Sequence, residues 1–95
     1  MSLTFIKQNL IAGSSVFFLQ DTLGFPLAMS FIECAQRNYM IEWQSYIRAA
    51  KQQSRDASWI YRAINEAFDD SQVWQEIKNE ILLRIRCLIK VEFKT

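Results

Sequence analysis

Turn-forming residues are confined to the front of this chain. Its two glycines and its single proline all fall within the first 26 of 95 residues, so neither residue interrupts the backbone over the remaining two thirds. Long helices are favoured there. Apolar residues make up 51% of the chain and charged residues 22%, which is enough apolar surface to offset the ordering entropy of one core. A chain of this length is too short to support a second core. The expected class is therefore all-α: a single domain spanning 1–95, a small bundle of four to five helices, with the C-terminal tail open to a short strand.

Leu3, Ile6 and Leu10 recur at helical spacing, with Ser2 or Thr4 available to cap first-turn amides, and predict a short opening helix that Gly13 ends. A second short helix is predicted from Ser14 or Ser15 to about Thr22. Residues 21–26 read as a helix–turn–helix junction. Asp21 or Thr22 caps exposed amides, Gly24 takes a left-handed turn, Phe25 plugs the core and Pro26 opens the next helix. From there Leu27, Phe31, Ile32 and Ala35 fit one helical face, and Asn38 marks a break.

Trp43, Tyr46, Ile47 and Ala50 form the next stripe. After the polar segment Gln52 to Asp56 comes another, Trp59 or Ile60 with Ala63, Ile64, Ala67 and Phe68, giving two helices or one kinked helix. Asp69, Asp70 and Ser71 are expected to cap a final helix whose stripe is Trp74, Ile77, Ile81, Ile85 and Leu88. Beyond it Ile89, Val91 and Phe93 alternate with Lys90, Glu92 and Lys94, the period of a strand, which would fray or pair with its copy in a dimer. No internal repeat is visible.

The count that most narrows function is histidine, which is zero. That removes the commonest general acid or base, the commonest zinc ligand and the usual partner of a nucleophilic Ser or Cys. No glycine-rich phosphate loop is present either. The chain is expected not to be an enzyme, with no catalytic residue, metal ligand or cofactor. Cys34 and Cys87 lack CxxC spacing and read as buried thiols in a reducing cytosol. No apolar run approaches the roughly 20 residues of a membrane span, and the amino terminus has no clear cleavage site. A cytoplasmic protein with no membrane partner is expected.

Net charge is only +1, but its distribution is uneven. Between Arg37 and Arg62 there are five basic and two acidic residues, and from Ala63 to Glu80 five acidic and one basic. Arg48, Lys51 and Arg55 fall three and four apart, so a continuous helix would place them on one face, with Arg62 extending it. Such a face suits phosphate contacts that position RNA without reading its sequence. The plainer reading is a solvated flank opposite Trp43, Ile47 and Ala50. Likewise Asp69 and Asp70, with Arg84, Arg86 and Lys90, are what the dipole of the last helix favours at its two ends.

The segment from Gly13 to Leu27 resembles the stretch that follows the catalytic domain in alanyl-tRNA synthetases. Gly13, Phe17, Leu19, Asp21, Thr22, Gly24, Phe25 and Pro26 match that family's pattern without a gap, with Leu23 where Tyr is usual. The frame continues through Arg37-Asn38, Ile41-Glu42, Tyr46 and Gln53, so the similarity covers about residues 13 to 53. The resemblance implies a helical region linked with tRNA recognition, located between the activation site and the editing domain. The family's ATP-binding and alanine-activating motifs have no counterpart here, and its His and Cys editing cluster cannot be built without His. Neither aminoacylation nor deacylation is expected of this chain alone.

Two functional readings follow. One is a helical module that binds tRNA or another RNA through Arg48, Lys51, Arg55 and Arg62. The other is an interaction or structural protein, a homodimer or the partner of another protein, that buries Phe17 and Phe18 because a narrow helix face cannot cover the whole Phe17-Phe18-Leu19 run.

Overall fold

A computed structural model describes residues 9–94 of the chain. The order of elements is β1 (Asn9–Ala12), α1 (Gly13–Asp21), α2 (Leu27–Gln36), β2 (Tyr39–Glu42), α3 (Trp43–Gln52), α4 (Ala57–Ser71), a 3-10 turn (Gln75–Ile77) and α5 (Lys78–Glu92). Five helices surround one core, and β1 pairs with β2 in a small parallel sheet.

α3 and α4 follow their apolar stripes, whereas α2 buries Leu27, Ser30, Phe31 and Cys34, so that Ile32 and Ala35 of its expected face fall outside the core. In α3 the buried set is Trp43, Tyr46, Ile47 and Ala50, and in α4 it is Ile60, Ile64, Ala67 and Phe68. Phe31 of α2 is fully buried at the centre, with ring centroids of Phe68 and Trp74 at 5.0 Å and of Trp43 at 5.8 Å. Tilted and edge-on ring pairs of this kind add about 0.5–1.5 kcal/mol each beyond area burial. Asn38 and Ser54 take left-handed backbone at φ 60 and 64. Asn38 thus ends α2, and Ser54 makes α3 and α4 two separate helices.

Three expectations are corrected. Leu3 and Ile6 of the expected opening helix lie outside the described residues, but Asn9–Ala12 is a strand and Gly13 begins a helix instead of ending one. Four-residue strands show too few alternations to register in sequence, and β1 forms because β2 lies beside it. Asp69, Asp70 and Ser71 sit in the last turn of α4, not ahead of the next helix. The chain then reverses through left-handed Gln72 and Trp74, and α5 starts at Lys78. The C-terminal alternation does not become a strand: α5 runs to Glu92, because Ile85, Leu88, Ile89 and Phe93 at helical spacing reach the core.

Though no repeat is visible in sequence, the fold contains one. The strand register pairs Asn9 with Tyr39 and Ile11 with Ile41, a constant separation of thirty residues. At that same separation α3 begins like α1, α4 begins like α2, and left-handed Ser54 stands where left-handed Gly24 stands. Buried Val16 and Phe17 correspond to buried Tyr46 and Ile47. The molecule is two strand–helix–helix units laid in parallel, with α5 packed against α3 and α4.

The two units meet at Gly13. A Cβ there would come within 2.0 Å of the Glu42 carbonyl oxygen and 2.6 Å of the Tyr46 amide, so only glycine allows α1 and α3 to start this close together. The Glu42 carboxylate then serves both helices. It accepts from the Ser45 amide at 2.9 Å and from the Gly13 amide at 3.4 Å, while Ser45 Oγ donates to it and accepts from the Ser14 amide at 2.9 Å. Burial opposes ionisation of Glu42. The hydrogen bonds from the Ser45 hydroxyl and from the Ser45, Gly13 and Gln44 amides outweigh it, and hold the carboxyl below its ordinary range.

Candidate nucleic-acid interface

The four cations expected to contact RNA do not form one continuous stripe. Arg48 and Lys51 share α3, but Arg55 lies in the turn beyond Gln52, and Arg62 belongs to α4 after the chain has reversed. Arg62 therefore does not extend the α3 face. Arg48 Nε donates to Glu92 Oε2 at 2.8 Å, and Lys51 Nζ donates to the Glu92 main-chain carbonyl while lying 5.3 Å above the Phe93 ring. The negative end of α5 is thus set against this part of α3. Arg55 donates to Asp21 Oδ1 at 2.7 Å and stacks 4.7 Å above Trp59. Arg62 is exposed, on a shallow cleft of about 220 Å³ shared with Gln20, Pro26, Trp59, Glu66 and Asp70. Among the described residues it makes no ion pair.

Exposed pairs of this type are worth at most about 1 kcal/mol. The Arg48 side chain keeps 56% of its surface in solvent and Arg55 keeps 40%.

The junction at residues 21–26 is built for the turn. Gly24 has φ +70, the Phe25 amide donates to the Leu19 carbonyl at 2.9 Å, and the Pro26 carbonyl receives the Met29 and Ser30 amides. Three details depart from expectation. Phe25 does not plug the core: it is half-buried, outside both the core and the residues packed against it. Pro26 stands one residue before the first helical position, and neither Asp21 nor Thr22 caps a helix start. Asp21 ends α1 and turns its carboxylate to Arg55, while Thr22 closes α1 as its C-cap.

Of the two phenylalanines assigned to an interface, Phe17 is corrected to the core. It is 3% exposed, edge-on to Tyr46 at 5.5 Å and to Trp59 at 6.3 Å. Phe18, on the other side of α1, is 52% exposed. Tyr46 beneath is fully buried, and its hydroxyl donates to Gln20 Oε1 at 2.6 Å. Burial pushes that phenol well above its ordinary range. Cys34 is buried as expected, and desolvation, then the charge of Glu33, push its thiol up. Cys87 is corrected to exposed, on the solvent side of α5.

A second cationic group, assigned in sequence only to the helix dipole, lies along α5. Arg84, Arg86 and Lys90 are all exposed, and none makes an ion pair among the described residues. Arg86 instead lies 5.0 Å over the Tyr61 ring of α4 and donates to the Tyr61 hydroxyl at 3.2 Å. That contact joins residues 25 apart, so no local spacing reveals it.

Among the described residues no helix is long and apolar enough to cross a membrane. No family model and no solved structure matches the chain. The chain is similar to the alanine–tRNA ligase of Buchnera aphidicola subsp. Acyrthosiphon pisum (strain APS), at 29% identity over 90 residues. That alignment takes in 95% of this chain and 9% of the ligase, so the chain spans about a tenth of that relative's length. The likeness thus runs well past residue 53, through α4 and most of α5, and it is a distant resemblance to one segment of a much larger protein.

Proposed function

We propose that this chain is a non-catalytic helical module, acting in the cytoplasm, that binds tRNA or another RNA through phosphate contacts. The observation that carries the reading is the near-complete alignment of the chain with a segment of an enzyme that acts on tRNA. Arg48, Lys51, Arg55 and Arg62 supply contacts that position the RNA backbone without reading bases. The two units and α5 act as a rigid frame for these side chains. Neither a cofactor nor a metal enters the function.

The test is fluorescence anisotropy with labelled tRNA. About three phosphate contacts lower affinity roughly fortyfold between about 50 and 200 mM salt, and charge reversal at Arg48 and Lys51 weakens binding equally across RNA sequences. Binding that is absent at low salt, or insensitive to salt, ends this reading.

A second reading is favoured by the exposure of Phe18 at 52% and Leu23 at 63%: a homodimer, or a complex with another protein, closed over the α1 side of the molecule. Light scattering then reports a dimer that persists in high salt and dissociates in Phe18→Asp. A monomer at every salt concentration rules the homodimer out.

A further inference from the structure

Where an arginine among the described residues is held in place by another side chain, a carboxylate takes part at Arg37, Arg48 and Arg55, the last of which also stacks on Trp59. Arg86 is the exception, fixed by the neutral Tyr61 through both the ring face and the hydroxyl. The difference is electrostatic. A carboxylate orients a guanidinium by cancelling its charge, whereas a phenol orients it and leaves the charge whole. One of the five guanidinium donors is used on Tyr61 Oη, and among the described residues the others have no partner. Lys90, exposed one helical turn beyond, adds about 6 Å along the axis a second cation that makes no ion pair among the described residues. The Tyr61 hydroxyl accepts from Arg86 and keeps its own proton to donate to a phosphate oxygen or a ribose hydroxyl.

We infer that the rim between α4 and α5, formed by Tyr61, Arg86 and Lys90, is a contact site for the phosphate backbone of RNA, separate from the α3 cations. The inference rests on the RNA-binding reading. On this rim an already oriented cation meets the phosphate without first being released from a carboxylate.

The experiment titrates a fluorescein-labelled RNA stem-loop with the wild-type chain and with Arg86→Glu, Arg86→Gln, Tyr61→Leu and Arg37→Glu, each checked for native far-UV circular dichroism. Arg86→Glu weakens binding by about tenfold or more and lowers the salt slope by about one. Arg86→Gln, the milder change, gives an intermediate loss. Tyr61→Leu alters no charge, yet weakens binding about threefold through loss of orientation. Arg37→Glu makes the same net-charge change as Arg86→Glu and costs less than about twofold. Equal losses for Arg86→Glu and Arg37→Glu overturn the site, since net charge then explains both. Unchanged affinity in Arg86→Glu overturns it too, including the case in which this face serves a protein partner. A wild-type chain that binds no RNA removes the parent reading itself, an outcome distinct from either of these.

Discussion

Replacing Gly13 by Ala sets two effects of opposite sign against each other. Gly13 begins α1 and is absent from the positive-φ positions, so alanine meets no backbone strain, and helix propensity alone favours it by up to about 1 kcal/mol. The added methyl, however, would stand 2.0 Å from the Glu42 carbonyl oxygen and 2.6 Å from the Tyr46 amide. Both are backbone atoms, which cannot swing aside as a side chain can. The starts of α1 and α3 must separate by roughly 1 Å in a close-packed region, and overpacking of this kind costs about 1–3 kcal/mol. Separation also lengthens the bonds from the Gly13 amide to Glu42 and from the Ser14 amide to Ser45, each worth about 1 kcal/mol. The net expectation is a loss of about 2 kcal/mol, or a fall in Tm of roughly 8–16 °C for a domain of this size. Urea unfolding followed by tryptophan fluorescence, with circular dichroism as a second probe, measures it. A midpoint that is unchanged or raised refutes the close approach of the two units.

Other consequences are checked by the same unfolding assay. Phe31→Ala empties the centre of an aromatic cluster and costs about 3–5 kcal/mol, a large share of the roughly 5–15 kcal/mol that stabilises a domain of this kind. Tyr46→Phe removes the donor to Gln20 Oε1 and costs about 1–2 kcal/mol. Glu42→Ala loses the cap on α3 and about 1 kcal/mol at neutral pH. Because hydrogen bonds hold the Glu42 carboxyl below its ordinary range in the folded state, its contribution is complete above the unfolded-state value. That contribution is lost as pH falls through the lower folded one, so the acid limb of stability is shallower in Glu42→Ala than in wild type. Phe18→Asp, at an exposed site, leaves the midpoint within about 0.5 kcal/mol of wild type.

The stripes of α3 and α4 are legible in sequence because each buries one face against a single core, which is the condition for a clean 3.6-residue period. The sheet is not. Ile11 and Ile41 point to the same interior, but strands of four residues hold too few alternations to stand out, and their pairing is set by a partner thirty residues away. At the C-terminus the alternation of Ile89, Val91 and Phe93 with charged residues is real, yet Val91 is 67% exposed while Ile89 and Phe93 reach the core. Two of three positions suit either period, and the packing of α5 on α3 and α4 decides for the helix. The candidate cations are legible as residues but not as a surface. That Arg48 and Lys51 face the end of α5, that Arg55 faces Asp21 and that Arg86 lies on Tyr61 are all tertiary facts.

The duplicated architecture explains why the most recognisable residues are not the ones offered for binding. The two strand–helix–helix units share little beyond Ile11 with Ile41 and Ser15 with Ser45 at the thirty-residue separation, so similar side chains do not hold them together. One shared apolar core and the paired strands do, with two unlike polar joints added. At the strand end the Glu42 carboxylate and Ser45 hydroxyl reach across to the first amides of α1, where the missing Cβ of Gly13 makes room. At the turn end Arg55 of the second junction reaches back to Asp21 of the first. Gly13, Asp21, Gly24 and Pro26 thus lie at or between the joints, and their chemistry is spent on the frame. Among the described residues those with donors left over, above all Arg62, Arg86 and Lys90, lie on α4 and α5, outside the motif in sequence, although Arg62 lines a cleft beside Pro26. The motif thus builds the scaffold, while the surface with donors left to give is marked by unpaired charge on the two helices that follow.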